Sequence, residues 1–360
     1  MLSLQTETAI LQVSHCMIAR IIKDDNIKQL RDLLSESEKI VITCHLSPDG
    51  DAIGSSLGLW HVLNRLGKSV KVITPDAVPK HLTFLPGVKD VLPFNRYGDF
   101  ATKLFKSADL VFCLDFNDAK RVDRMSETLL ASPARKVMID HHLFPGDFAD
   151  VVISHPEVSS TSMLVFRVLC RLELFDDIDR DAAECIYTGM MTDTGNFTYN
   201  SNDPDLYVVI AELLKKGIDK DRIYRLACNT SSLSRLKLNS YAVLDKMQLF
   251  PEHSASLIVL DRDELNRFHY EKGDTESLVN VPLSLPEVQY SVFLRDDVDY
   301  IKVSMRSKGE FPVNKICEAH FNGGGHKNAS GGEFYGTMQE AIDKLTEVMP
   351  EFDKYLNTKK

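Results

Sequence analysis

Residues 39–51 read Lys39-Ile-Val-Ile-Thr-Cys-His45-Leu-Ser-Pro-Asp49-Gly-Asp51, a run of β-branched residues followed by a polar turn. The run Lys39–His45 predicts a buried strand. Beyond the turn, apolar residues recur at helical spacing from Ile53 to Leu63, and Gly67 ends the pattern. A strand, a turn and a helix in this order open a β–α–β unit, and such units build a parallel sheet with helices on both faces.

The same alternation continues through the first half of the chain, which predicts an α/β domain. Its further strands are predicted at Ser69–Thr74, Asp109–Asp115 and Lys136–Asp140, and later helices at Thr161–Leu172, Asp181–Met191 and Asp205–Lys216. In such a domain, ligands bind at the carboxyl ends of the strands.

The pattern changes after Cys228–Ser240, a polar segment that we expect to connect two domains and to be partly helical. Beyond it we predict a smaller α+β domain with an antiparallel hairpin. Its elements are strands Ser256–Leu260, Val288–Leu294 and Asp299–Arg306, a turn at Asp296-Asp297, a glycine-rich turn at Asn322–His326 and a helix at Met338–Met349. The predicted division is an extension at 1–24, a catalytic domain at 25–227, a linker at 228–250 and a substrate-binding domain at 251–360.

Composition excludes some classes of partner. The 42 Lys and Arg residues against 52 Asp and Glu give a net charge of −10, so we expect no long nucleic acid held on a broad basic surface. A small anionic substrate in a local pocket stays open. No apolar run is long enough to span a membrane, and the N-terminus is not typical of a secretory signal. Seven cysteines without a Cys-x-x-Cys pair indicate reduced thiols in the cytoplasm.

Acidic and imidazole side chains follow several of the predicted apolar segments. They are His45, Asp49 and Asp51 after the first strand, Asp115 after the third, Asp140-His141-His142 after the fourth, and Asp193 in a Thr-Asp-Thr-Gly turn that we group with the strand ends. The carboxyl ends of parallel strands form one edge, so these groups are expected to meet there. Mixed nitrogen and oxygen ligands suit two divalent cations, with Mn²⁺ expected and Mg²⁺ or Co²⁺ as alternatives. The simpler alternative for the first turn is a helix start capped by Asp51.

These motifs, in this order, resemble those of the DHH phosphoesterase superfamily, and Asn322-Gly-Gly-Gly-His326 resembles the signature of the associated DHHA1 domain. The resemblance implies roles by position. One cation would be bound by His45, Asp49 and Asp115, and the other by Asp51, Asp115, His141 and Asp193. Asp140 would orient an imidazole, and His142 would face the scissile phosphate; with Asp115, these two form the expected catalytic set.

The second domain is expected to bind the substrate. Three successive glycines allow backbone N–H groups to surround an anion, and His326 adds a donor. The resemblance places Arg306, followed by Ser307, beside this loop, and a guanidinium suits a phosphate. The expected substrate-binding residues are Arg306, Ser307, Asn322, Gly323, Gly324, Gly325 and His326. A plain flexible turn and a surface arginine are the alternatives, and Arg235 is either a residue near this site or a solvated linker charge.

The leading functional hypothesis is a Mn²⁺-dependent phosphoesterase acting on short RNA or DNA oligonucleotides or nucleoside bisphosphates. The two-domain layout resembles the group of oligoribonucleases that also hydrolyse 3′-phosphoadenosine-5′-phosphate (pAp). The nearest alternative is a phosphodiesterase of cyclic or linear di-adenylates. A nucleotide-binding protein without turnover is a further alternative, against which the complete ligand set argues. A homodimer is left open. Ser159-Ser-Thr161 is expected to cap the next helix, although this end of the helix could also lie near the metals.

Overall fold

The computed structural model describes residues 21–229 and 231–356. The chain divides into two compact units, with the boundary between residues 230 and 231. Most of the extension predicted at 1–24, including the N-terminus judged not typical of a secretory signal, lies outside the described residues. The other predicted domain boundaries stay predictions.

The N-terminal unit, unit 1, is built on a parallel sheet. The strands of this sheet are β1 Lys39–Thr43, β2 Ser69–Thr74, β3 Leu92–Pro93, β4 Leu110–Leu114, β5 Arg135–Asp140 and β6 Val151–Ser154. They lie in the order β3-β2-β1-β4-β5-β6, and each neighbouring pair is parallel. The order of the strands reverses between β1 and β4. In open sheets of this kind, ligands bind at the carboxyl ends of the strands that flank such a reversal.

Helices cover both faces of this sheet. In unit 1 they are α1 Asp24–Glu36, α2 Gly50–Arg65, α3 Phe94–Ser107, α4 Ser126–Ala131, α5 Thr161–Arg171, α6 Arg180–Asp193, α7 Pro204–Lys215 and α8 Lys220–Cys228. Successive residues of a strand face opposite sides. Ile40 and Ile42 of β1 therefore lie in the core that contains α2, α5 and α6, whereas Val41 lies in a separate core with Phe105 of α3.

Helices α2 and α6 approach each other closely because α2 has a glycine at the contact. A Cβ atom on Gly54 would lie 2.6 Å from the carbonyl oxygen of Cys185, a distance that no real side chain tolerates. The contact holds the start of α2, with Asp51, against the helix that ends at Asp193.

The C-terminal unit, unit 2, contains a mixed sheet. Its strands are β7 Gln248–Phe250, β8 Ala255–Leu260, β9 Tyr290–Asp297, β10 Tyr300–Ser307, β11 Gly324–His326 and β12 Ala329–Phe334, in the order β11-β12-β10-β9-β8-β7. Strands β8 and β9 are parallel, and the other neighbours are antiparallel. The helices are α9 Leu233–Leu244, α10 Arg262–Arg267, α11 Val313–His320 and α12 Met338–Phe352. An α/β unit followed by a smaller α+β unit is the predicted fold class.

Three local predictions are wrong. Asp193 does not follow a strand but ends helix α6, whose apolar residues repeat with a helical period. The hairpin turn is at Val298-Asp299 rather than Asp296-Asp297, because Tyr300 pairs with Asp297. The segment at Asn322–His326 is not only a turn, since Gly324–His326 forms β11 and pairs with β12.

Among the described residues, no helix combines the length and the apolar character that crossing a membrane requires.

Candidate metal centre

The loop after β1 brings His45 and Asp49 to the carboxyl edge of the sheet. Asp49 is the N-cap of α2, and its Oδ1 accepts hydrogen bonds of 3.0 Å from the backbone N–H groups of Asp51 and Ala52. The alternative in which Asp51 caps this helix is wrong, because α2 begins at Gly50 and Asp51 already lies in its first turn. His45 Nε2 lies 3.7 Å from Asp49 Oδ1 and 3.4 Å from Asp115 Oδ2.

Asp115 lies at the middle of the candidate centre, directly after β4. Its side chain is buried, and its backbone has a φ of +63°, in the left-handed region. Asp115 Oδ1 accepts a 2.9 Å hydrogen bond from the hydroxyl of Thr161 and lies 3.6 Å from Nε2 of His141. A non-glycine residue keeps such a backbone only where surrounding contacts determine it. The carboxylate of Asp115 contacts His45, Thr161 and His141, which lie in three different segments, and these contacts hold its backbone in place.

Asp51 is buried and is held by the N-terminus of α5. Its Oδ2 accepts a 2.6 Å hydrogen bond from the backbone N–H of Thr161, and its Oδ1 accepts one of 2.8 Å from that of Ser162. The positive end of a helix dipole stabilises a carboxylate placed there. Ser160 caps the helix by accepting from the N–H of Met163. The segment Ser159–Thr161 therefore caps α5 and also contacts the candidate centre, as the sequence allowed.

The sequence indicated that this helix start could lie near the metals, but it gave no individual role there to Thr161 or Ser162. The only signal was a serine- and threonine-rich helix start, which is typical of caps throughout proteins.

His141 connects Asp115 to Asp193. Its Nδ1 lies 3.2 Å from the carbonyl oxygen of Val158, and its Nε2 lies 3.4 Å from Asp193 Oδ2. A backbone carbonyl at Nδ1 favours the proton on that nitrogen, which leaves Nε2 to face the carboxylates.

Asp140 orients the next histidine in the chain. Its Oδ1 lies 2.7 Å from Nδ1 of His142, and its Oδ2 accepts a 3.0 Å hydrogen bond from the backbone N–H of His142. Asp140 is fully buried, whereas the side chain of His142 is 18% exposed. The carboxylate thus fixes the ring of an imidazole that reaches the surface of the site.

Within residues 21–229 and 231–356, three groups of side chains have potential ligand atoms within 4.8 Å of one another. They are His45, Asp49 and Asp115; Asp51, His141 and Asp193; and Asp115, His141 and His142. All of the sequence-predicted metal ligands fall into these groups, and Asp115 and His141 each belong to two. Nitrogen and carboxylate donors in such mixed sets suit divalent cations of borderline softness.

The charges of the group indicate a need for cations. Burial raises the pKa of Asp51 well above its ordinary value, and the carboxylates of Asp115 and Asp193 raise it further. Burial is also the main cause that raises the pKa of Asp193 to about 7. Burial disfavours the charged form of His141, but the carboxylates of Asp193, Asp115 and Asp51 outweigh it and raise its pKa to about 9. The crowded carboxylates disfavour one another's charge, and a divalent cation removes that conflict, so the donor set fits bound metal.

Unit 2 brings its predicted residues to one end of the mixed sheet. Arg306 of β10 pairs with Ala329 of β12, which in turn pairs with His326 of β11, so Arg306 and His326 lie in one row across three strands. Arg306 Nη1 donates to the carbonyl oxygens of Met305 and Ser330, at 2.9 and 3.5 Å.

The three glycines of this loop are not all required for the same structural reason. A Cβ atom on Gly323 would lie 2.0 Å from the carbonyl oxygen of Gly331, and Gly325 has a φ of +140°, so the hairpin itself requires both. At Gly324 the nearest atom to an added Cβ is 3.7 Å away, which leaves room for a side chain. Of these three glycines, Gly324 is therefore the one that packing among the described residues does not explain.

The other predicted binding residues make contacts within unit 2. The Ser307 hydroxyl donates to the carbonyl oxygen of Phe311 at 2.6 Å and accepts from Asn328 Nδ2 at 2.8 Å. Asn322 Nδ2 donates to the carbonyl oxygen of Glu333 at 3.2 Å. Arg235 lies in α9, where its Nη2 is 3.5 Å from the carbonyl oxygen of Glu276.

Two family models match the chain. Residues 39–190 match the N-terminal domain of the DHH family, and residues 257–354 match the DHHA1 domain. Among solved structures, an exopolyphosphatase-related protein from Bacteroides fragilis is 53% identical, with a TM-score of 0.91. That match covers 93% of this chain and 98% of the other.

Two curated relatives differ in how much of their length is matched. The bifunctional oligoribonuclease and PAP phosphatase NrnA of Thermus thermophilus is 29% identical over 87% of this chain and 89% of its own. The cyclic-di-AMP phosphodiesterase GdpP of Bacillus subtilis is 25% identical over 90% of this chain, but only over 49% of its own length.

Proposed function

The chain belongs to the DHH family, with a DHHA1 domain, and on that premise we propose that it hydrolyses short oligoribonucleotides to mononucleotides and removes the 3′-phosphate of pAp. It is a metal-dependent phosphoesterase. The proposal rests mainly on one observation: four carboxylates and three imidazoles lie close together at the carboxyl edge of the unit 1 sheet. The NrnA relative, matched over most of both chains, supports this choice of substrates.

The proposed metal ligands follow the observed groups. His45, Asp49 and Asp115 would hold one cation. The other would be held by Asp51, Asp115, His141 and Asp193. Bound there, two divalent cations acidify a water and stabilise the charge that develops on a phosphoryl group. We propose Mn²⁺ for both, because imidazole and carboxylate together suit it better than the oxygen-only sets typical of Mg²⁺.

His142 and Asp140 carry the proposed proton chemistry. Asp140 holds Nδ1 of His142, and Nε2 is the ring atom that we assign to the substrate. We propose that this imidazole, with Asp140 and Asp115 as the rest of the catalytic set, faces the scissile phosphate and aids departure of the leaving oxygen.

The end of the mixed sheet in unit 2 is the proposed substrate-binding region. Arg306 supplies a guanidinium, and the loop Asn322–His326 supplies backbone N–H groups and an imidazole. Gly324, which no contact in the described part of the chain requires, is where a ligand would approach the backbone. Ser307 supports this region through its hydrogen bond with Asn328.

We further propose that the protein works in the cytoplasm on substrates of this short kind. The six cysteines that the structure describes are free thiols, which suits a reducing compartment. Burial raises the pKa of Cys170 and Cys317 to about 12, so neither is suited to act as a catalytic thiol.

Hydrolysis of cyclic or linear di-adenylates is the second candidate, supported more weakly by the GdpP relative. Comparing the rates on pAp, a 5′-phosphorylated diribonucleotide of two pyrimidines and cyclic di-AMP, each with Mn²⁺, separates the two. We expect the first two substrates to be hydrolysed at least about tenfold faster than the cyclic one. Faster hydrolysis of the cyclic substrate would favour the second candidate, and tight nucleotide binding without products would indicate a binding protein.

A further inference from the structure

A cavity of about 770 Å³ lies in unit 1, beside the candidate metal centre and outside it. Its wall is formed by Leu46 after β1, Pro75 and Asp76 after β2, the first turns of α3, and the segment 122–125 before α4. Since β2 and β1 are neighbours in the sheet, this cavity opens on the same carboxyl edge as His45 and Asp49. Its volume lies within the range of small-molecule sites and is large enough for one nucleoside.

The lining combines aromatic rings with guanidinium groups. Tyr97 and Phe100 line the cavity and are 51% and 53% exposed, although such rings are usually buried. Arg96 and Arg124 line it as well. Exposed aromatic rings and arginine planes are the surfaces on which nucleobases stack, because every base offers a flat π face.

The backbone around the cavity is irregular at two lining residues. Tyr97 interrupts α3 with a φ of −126° and a ψ of 32°. Asp123 has a φ of +47° and a ψ of −125° inside a short 3₁₀ segment. Asp123 is a non-glycine residue with a positive φ, and residues of that kind concentrate at ligand sites.

Hydrogen bonds join the wall of the cavity to the loop that carries His45 and Asp49. Ser47 donates to Asp76 Oδ2 at 3.4 Å, and Asn95 Nδ2 donates to Asp76 Oδ1 at 3.3 Å. The N–H of Leu46 donates to the carbonyl oxygen of Arg121 at 2.7 Å. The cavity and the centre therefore share one loop, the segment that runs from His45 to Asp49.

We propose that this cavity is a nucleoside subsite that distinguishes dinucleotides from pAp. The inference rests on the proposed function. Release of two 5′-mononucleotides from a 5′-phosphorylated dinucleotide breaks the bond between phosphorus and the 3′-oxygen, and water supplies the new oxygen on phosphorus and the proton on the leaving 3′-oxygen. Hydrolysis of pAp breaks the same bond. The two substrates differ in the nucleoside on the 5′-oxygen of the scissile phosphate, and the cavity binds that nucleoside.

The test compares the two substrates in the same variants. In Tyr97→Ala and Phe100→Ala, we expect kcat/KM for the dinucleotide to fall about tenfold, the size of one lost base-stacking contact, mainly through KM. Hydrolysis of pAp should change less than about twofold, because its phosphate carries no second nucleoside. The matched control is Tyr207→Ala, which removes an equally exposed tyrosine of α7 that does not line the cavity and should alter neither substrate.

Two outcomes contradict the subsite. An equal fall for both substrates means that the rings support the fold or the chemistry in general. No change for either means that nothing stacks in the cavity. If the unaltered protein hydrolyses neither substrate, the proposed function itself fails, which is a different result from the loss of selectivity.

Discussion

Thr161 supports two of the carboxylates of the candidate centre at once. Its backbone N–H donates to Asp51 and its hydroxyl donates to Asp115, both within buried surroundings. Groups that hold metal ligands in place influence metal affinity nearly as strongly as the ligands do. The role of Thr161 can be tested on its hydroxyl alone, because the backbone contact survives substitution.

We expect Thr161→Val to lower Mn²⁺ affinity and kcat/KM by about 10- to 100-fold, because Asp115 loses its hydroxyl donor while the shape of the side chain is kept. Thr161→Ser keeps the hydroxyl and is the matched control. Isothermal titration with Mn²⁺ and rates on a dinucleotide measure the two effects. Equal behaviour of the valine and serine variants would show that the hydroxyl has no part in the centre.

Among the elements, the pair α2 and α6 decides where Asp51 and Asp193 lie. At the contact, Gly54 leaves no room for a Cβ atom. We expect Gly54→Ala to lower the free energy of unfolding by about 1–3 kcal/mol, because the added methyl group forces the helices apart.

The control for that variant is Gly98→Ala in α3, where the nearest atom to an added Cβ is 3.8 Å away. Alanine favours a helix by up to about 1 kcal/mol over glycine, so this variant should be neutral or more stable. Urea unfolding of both variants gives the comparison. A Gly54→Ala protein as stable as the unaltered one would rule out the close contact.

The strands that carry the candidate ligands could be predicted because each is a run of buried apolar residues. Strand β3 was missed because it has only two residues, too few for any periodicity. Asp193 was grouped with strand ends although it ends a helix, since its place depends on how α6 packs rather than on its neighbours in sequence. The bond from Thr161 to Asp115 joins residues 46 positions apart, and no local pattern reports such a contact. The cavity at Tyr97 and Phe100 likewise exists only after folding.

At the scale of the whole molecule, the net charge of −10 fits a short substrate rather than a long polyanion. Five of the acidic residues lie at the candidate centre: Asp49, Asp51, Asp115, Asp140 and Asp193.

The stability of the metal-free protein should depend on pH through this group. Asp193 and His141, with pKa values of about 7 and about 9, hold protons to higher pH in the folded than in the unfolded chain. Their stabilising contribution is therefore lost as the pH rises through those values.

Because cations bind deprotonated ligands, we expect Mn²⁺ to raise the Tm more at about pH 8 than at about pH 6. Thermal unfolding with and without Mn²⁺ at both pH values measures the difference. Asp193→Asn removes one of the titrating ligands and should reduce the gain at the higher pH. A gain that is the same at both pH values would contradict binding at this group.

Asp115 and its neighbours form the proposed two-metal hydrolytic centre. The most direct test measures bound Mn²⁺ and mononucleotide release from a 5′-phosphorylated dinucleotide, for the unaltered chain and for Asp115→Ala. We predict about two Mn²⁺ per chain and turnover for the unaltered protein, and loss of metal and of at least about 10³-fold in rate for the variant with its fold intact. Undiminished turnover by Asp115→Ala, or turnover that persists after the metal is removed, would contradict the account.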